Sequence, residues 1–436
     1  MQAQMRKTWA LFMGAIWLIA AHAQQLEKTV EQPLIVYKIQ TGDTLSQLSQ
    51  KYLRQPADLA AIRTLNHLRS IDLLPAGEFL KVPREAVKQE PSHATIISIS
   101  CARMIRAGSS LKPIYIGTVL EEGVVIDIPA ECYVSMRLED SSIIRLPSSA
   151  AIKISVLRKN AMESSPEVQL DLVHGRVELD VYKGRSKTTP FEVRTPLSIT
   201  GVRGTEFRVG YSPIDQVGQV EVIGGVVNTM GVNDTQSQAI TKGQGVPFDK
   251  SGKAMPVEQL LKAPVFEHAE LINHTQASYA IKLTGIAQAN RYVVLNAKSA
   301  NLLGEQNSQT LNTPEIVALD LSQNATFYQF VAVSKSGLMG TPRKYGFCTT
   351  AGQTNLGRCR AVFEAPLADG AMITFSLIKH AAETAQEMIS TKQLQARNGR
   401  FVIEGLPTGR YTWSMSYNTT KQSGDFDLIA FTTSAP

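Results

Sequence analysis

The chain has 436 residues, 43% apolar and 19% charged, and at ~100–200 residues per domain that gives three to four domains with cores of their own, which excludes a disordered polymer. Short apolar runs rich in Val, Ile and Thr argue for β-rich domains and against a coiled coil or helical repeat. The formal charge of +6, or +4 without Arg6 and Lys7 (42 basic against 38 acidic residues), is too small to mark a nucleic-acid-binding surface.

Residues 1–23 place Arg6 and Lys7 before the apolar run Trp9 to Ala21 and the small-residue stretch Ala21-His22-Ala23, the order of a secretory signal peptide. The run has 13 residues, short of the ~20 a membrane span needs, so cleavage after Ala23 and export to a bacterial periplasm are expected. Gln24 is not a Cys, which argues against a lipid anchor there. The four cysteines fall into two sequence-local pairs, Cys101 with Cys132 and Cys348 with Cys359. Of the three connectivities the local one is expected, as structural disulfides. No C-x-x-C occurs and no His lies near either pair, so no zinc site is expected.

Between residues 33 and 84 the expected order is strand, helix, helix, strand. Tyr37 to Gln40 alternates as a strand, and Thr44 and Gln47 have the spacing of a capping box. Leu45, Leu48 and Tyr52, then Leu59, Ile62 and Leu65, recur at helical spacing, and Leu74-Pro75-Ala76-Gly77 turns into a strand at Phe79 to Pro83. The motifs Tyr37-x-Ile39-x-x-Gly42-Asp43-Thr44-Leu45, Leu65-Asn66 and Leu74-Pro75-x-Gly77-x-x-Leu80-x-x-Pro83 closely resemble the LysM domain. That resemblance implies a βααβ fold binding N-acetylglucosamine-containing glycans, in a bacterium peptidoglycan. It also implies a shallow groove in which Gly42, Asp43, Thr44 and Leu45 face Leu73, Leu74, Pro75 and Ala76.

Lys88 to Ser92 reads as a linker. From 95 to 250, short runs such as Val124 to Ile128, Tyr133 to Leu138 and Ile152 to Leu157 alternate with turns, one of them at His174-Gly175 between Val168–Val173 and Val177–Val181. Val177, Leu179 and Val181, and Phe207 and Val209, place one face of their strands in a core. Leu138 to Ile143, Leu146 to Ser149, Leu172-x-x-Gly175-x-Val177, Thr195-Pro196, Val202-Arg203-Gly204-Thr205-Glu206-Phe207-x-Val209 and Lys242 to Gly245 resemble the FecR domain. The resemblance implies a periplasmic all-β domain, best known from regulators of sigma factors. The cytoplasmic segment and membrane span of those regulators have no counterpart in this sequence. Arg203 and Glu206 could be read as acid/base chemistry, but satisfying each other or the backbone at a glycine bend is the expectation.

Residues 251–275 read as a connector with a short helix at Val257 to Lys262; His268 and His274, beside Glu267 and Glu270, lack metal-ligand spacing. Residues 276–350 and 355–436 resemble fibronectin type III-like sandwiches, on the strands around Tyr292, Phe327 and Phe363 and the stretch Leu406-Pro407-x-Gly409-x-Tyr411-x-Trp413. Tyr411 and Trp413 are expected in the core. The fold class is therefore mainly β and multidomain: a small βααβ LysM module, a long all-β FecR-like domain and two C-terminal β-sandwich-like modules.

No nucleophile motif, metal set or phosphate loop stands in the sequence, so neither an enzyme nor a cofactor is expected. The expected function is a non-catalytic periplasmic protein that LysM docks on peptidoglycan, with its β domains held for another envelope protein. The alternatives are a signal-sensing module related to FecR-type sigma regulators, or a structural spacer with a vestigial LysM.

Overall fold

The computed structural model describes residues 33–433 apart from 56, 72–73, 102, 108–109, 131, 187, 274, 276, 304–305, 319–320, 352–357, 366–369, 381–385, 398 and 418–419. The expected leader lies outside the described residues. The chain divides after Lys88 into two compact units, and the described part is mostly strand.

In the first unit, strand β1 (Leu34–Lys38) pairs antiparallel with β2 (Phe79–Pro83), with Tyr37 opposite Leu80. Two helices, α1 (Leu45–Tyr52) and α2 (Asp58–Leu65), lie between them in the chain. A two-stranded sheet needs a packed layer to persist, and the helices provide it: Ile35, Ile39, Leu45, Leu48, Ile62, Leu80 and Val82 are all buried. Asn66 ties the end of α2 to β2, accepting from the Lys81 amide (2.7 Å) and donating to the Lys81 carbonyl (2.7 Å).

The second unit opens with a closed two-layer barrel. One layer runs, in spatial order, through Val119–Leu120, Ala94–Ile99, Val134–Leu138, Ile143–Leu146, the second half of Glu167–Asp180, Glu206–Ser212, Val217–Gly224, Gln244–Phe248 and Glu258–Gln259. The other runs through Ser110–Ile114, Arg103–Ala107, Val124–Ile128, Ala150–Asn160, the first half of Glu167–Asp180, Phe191–Arg194, Ser198–Val202, Val226–Gly231 and Gln238–Thr241. Alternate residues from both layers, among them Ile126, Met136, Leu170, Val177, Phe207 and Val220, fill one core.

Three expectations change here. His174-Gly175 is not a turn: a single strand, Glu167–Asp180, passes through it and crosses from one layer to the other. The stretch expected as a linker contains the strand Gln89–Pro91, paired with the far end of Ala150–Asn160. Residues 257–262 form no helix; Glu258–Gln259 pairs as a strand with Gly245 and Gln244, because Leu260 is buried against the barrel rim beside Gly245.

The C-terminal part consists of two sandwiches that share a sheet. Phe266–Asn273, Ser278–Leu283 and Glu315–Ala318 form a three-stranded sheet. The first of these strands lies within the expected connector 251–275, so the sandwich begins about ten residues earlier than the sequence suggests. An eight-stranded sheet runs from Gln306–Leu311 to Gln386–Gln395, its halves joined where Arg343–Ala351 pairs in parallel with Thr420–Thr433. Cys359–Glu364 and Arg400–Leu406 cover the second half. Tyr411 and Trp413 are buried there, Tyr411 donating to the Pro407 carbonyl.

Both disulfides are the local pairs. Cys101–Cys132 extends the ladder in which Ile99 faces Val134. Cys348–Cys359 links a strand of the first sandwich to one of the second, so the connection between them is covalent as well as hydrogen-bonded.

Candidate functional site

The loop after β1 and the loop before β2 meet through their backbones. The Leu45 amide donates to the Ile71 carbonyl (2.8 Å), the Gly77 amide to Ile39 (2.9 Å), and the Ile39 amide to Glu78 (2.9 Å). Gly42 and Gly77 both stand at φ +90, the left-handed region that glycine enters without strain. Within the first loop, the Tyr37 hydroxyl (2.9 Å) and the Gln40 amide (2.7 Å) both donate to Asp43 Oδ2. Burial, and then the hydrogen bond with Asp43, pushes the Tyr37 phenol up to about 12. Asp43 is thus the brace of the turn.

Thr44 caps α1, its Oγ1 accepting from the Gln47 amide (3.2 Å). The reciprocal half of the capping box is absent among the described residues. The backbone amides of Gly42, Thr44 and Ala76 have no acceptor among the described residues.

Of the eight residues expected to line a glycan groove, Gly42, Pro75 and Ala76 are exposed, and Asp43 and Thr44 are half-buried. Leu45 (1% exposed) and Leu74 (9%) point into the core, so their side chains cannot cover a sugar ring. Leu73 lies outside the described residues.

The R-G-T-E-F stretch is structural. Arg203 donates to the Arg185 carbonyl (3.2 Å) and Thr205 to the carbonyls of Arg203 (3.0 Å) and Val226 (2.8 Å). Arg203 and Glu206 form no ion pair with each other among the described residues, contrary to one of the expected outcomes. Glu206 stands opposite Asp180 in the ladder, and desolvation, followed by that like charge, raises its carboxyl above the usual range.

The outer face of the barrel's first layer carries a row of alternating charge. Arg145, Glu178, Arg208 and Glu221 are successive partners on four neighbouring strands. Alternation alone assigns this face to solvent, yet Glu221 is 0% exposed and Arg208 4%, because the sandwich sheet lies on it. Arg176 Nη1 donates to both Glu221 oxygens (2.7 Å each), the Met339 amide donates to Glu221 Oε1 (3.0 Å), and Arg208 Nη2 donates to the Gly340 carbonyl (2.8 Å). Burial pulls the Arg208 guanidinium below its ordinary value. Ser336 donates to Glu258 (2.8 Å), and the Arg137 guanidinium stands 5.8 Å from the Tyr417 ring centroid. A charge buried at such a contact is costly without a partner; Glu221 has the Arg176 guanidinium and Arg208 the Gly340 carbonyl.

Among the described residues no helix is long and apolar enough to cross a membrane. Comparison with known proteins agrees with the motifs. Residues 37–83 match the LysM domain family and residues 125–228 the FecR protein family. No curated protein matches the chain. Among solved structures, a protein assigned as an anti-sigma factor from Parabacteroides distasonis is 17% identical over 31% of this chain and 59% of its own length, with a TM-score of 0.26. A two-domain fibronectin type III segment of chicken tenascin is 14% identical over 38% of this chain and 99% of its own, with a TM-score of 0.15. This chain therefore spans about three-fifths of the anti-sigma factor it matches. The protein carries a LysM domain at residues 37–83 and a FecR domain at residues 125–228, followed by β-sandwich modules.

Proposed function

We propose that this is an exported, non-catalytic protein of the bacterial periplasm that docks on peptidoglycan through residues 33–84 and presents its β domains to another envelope protein. The observation that carries the reading is the pair of joined loops, where the amides of Gly42, Thr44 and Ala76 lack an acceptor among the described residues, beside exposed Pro75 and Ala76. Amide donors next to a small apolar surface suit the acetamido carbonyl and the C–H face of an N-acetylated sugar. The leader-like residues 1–23 and the LysM match support export and wall binding.

Titration with chitotetraose tests the site. One shallow groove orders few groups, so weak binding is expected. Gly42→Val is the informative variant: a Cβ there meets nothing within 4 Å, but the φ of +90 is strained for valine, so the loop must change shape while the core stays intact. Affinity is expected to fall at least about tenfold, as about 1–2 kcal/mol of loop strain and lost donor geometry would produce. Undiminished binding by Gly42→Val would place the sugar elsewhere. Asp43→Ala is a poorer probe, since removing the brace frees both Tyr37 and Gln40.

A further inference from the structure

Between the barrel and the first sandwich lies a cleft of about 390 Å³, walled on one side by Tyr133, Arg176 and Glu178 and on the other by Arg291, Val293 and Gln329. That volume is within the range of sites for small ligands. Its lining residues all belong to the second unit, and it was not anticipated by any sequence motif.

The barrel wall carries Glu178 beside Arg176, and the sandwich wall carries Arg291. Glu178, half-buried on the barrel side, makes no hydrogen bond or ion pair among the described residues, and its nearest strand neighbours in register are Arg145 and Arg208. Arg291, exposed on the sandwich side, likewise has no ion-pair partner among the described residues. Arg176 already holds Glu221. Beneath them is a small buried cluster of Val331, Val333 and Met339, and half-buried Val293, packed against it, lines the cleft with Leu295. Desolvation, and then the charge of Glu178, raises the Tyr133 phenol.

We propose that this cleft binds a short zwitterionic peptide with an apolar side chain. Glu178 receives the ammonium group, Arg291 the carboxylate, and half-buried Val293 and Leu295 the side chain. A neutral sugar would leave half-buried Glu178 without a cationic partner from the ligand, which is unfavourable, whereas a free-ended dipeptide pairs with both Glu178 and Arg291 and bridges the two modules. This site does not depend on the LysM reading, because its residues all lie in the second unit.

The test is calorimetric titration of the full mature chain with Leu-Ala, Ala-Leu and Val-Val, beside their N-acetyl and C-amide forms and the variants Glu178→Gln and Arg291→Gln. At least one free dipeptide should bind with a Kd below about 10 mM. N-acetylation and Glu178→Gln should each weaken it about tenfold, and the acetylated peptide should lose nothing further in Glu178→Gln, because both changes remove one contact. Amidation and Arg291→Gln should behave in the same paired way. Circular dichroism confirms that each variant is folded. Absence of binding by all three free dipeptides, or equal binding of free and doubly capped forms, overturns the proposal. Loss of chitotetraose binding leaves it untouched.

Discussion

Replacing Arg185 with alanine is expected to lower stability by about 3–5 kcal/mol, the cost of leaving a buried charge without its partner. Arg185 is 1% exposed and Asp140 9%. The guanidinium donates to the Asp140 carboxylate and to the carbonyls of Pro166 and Pro190, and lies 5.1 Å from the Phe191 ring centroid. Its removal strands Asp140 with the Ser142 amide (3.0 Å) and takes a donor from the Pro166 carbonyl, while the Pro190 carbonyl keeps the Val168 amide (3.1 Å). One side chain therefore fastens residues 140, 166 and 190, from three separate connections of the barrel. Urea unfolding of the variant measures the loss. A paired change, Arg185→Met with Asp140→Asn, should cost less than the sum of its single changes, because each leaves a less costly partner behind. A loss below about 1 kcal/mol in Arg185→Ala would mean that water replaces the guanidinium and that the pair is not buried as described.

Gly175→Ala is the second large effect, about 3 kcal/mol or more. A Cβ at this position would stand 2.3 Å from the Ser149 carbonyl oxygen and 2.6 Å from the Ala150 Cα, and φ is +84. Both contacts are with backbone, so no side chain can swing aside. The residue is also where Glu167–Asp180 crosses between layers, pairing with Ala151–Arg158 before it and with Glu206–Tyr211 after it. Gly243→Ala is the control: its φ is +81 but nothing lies within 4 Å, so only the backbone strain, about 1 kcal/mol, applies. Thermal unfolding should separate the two variants clearly. Equal shifts would show that the close approach at Gly175 is relieved by a small movement.

What the sequence made legible was local. The cap at Thr44, the buried spacing of Leu45 and Leu48, and the two glycine turns are decided within a few residues, so the βααβ order could be read directly. The alternation of Val177, Leu179 and Val181 likewise assigned the inner face of the barrel correctly. Alternation says nothing of what covers the outer face. Glu221 and Arg208 are buried there by partners, Met339 and Gly340, that are more than a hundred residues away in the chain. Phe266–Asn273 escaped notice because it is an edge strand with charged or polar residues on both faces, which carries no period-two signal. In the two joined loops, residue types pointed to the right turns but not to side-chain direction: Leu45 and Leu74 serve the core, and the cleft beside Glu178 exists only because two distant modules meet.

The central claim is docking on peptidoglycan, and co-sedimentation of the mature chain with purified sacculi tests it most directly. The account predicts that the intact chain pellets, that a chain lacking residues 33–84 stays in the supernatant while remaining folded, and that chitotetraose competes the intact chain off the wall. An intact, folded chain that stays in the supernatant, or a truncated chain that still pellets, would contradict it.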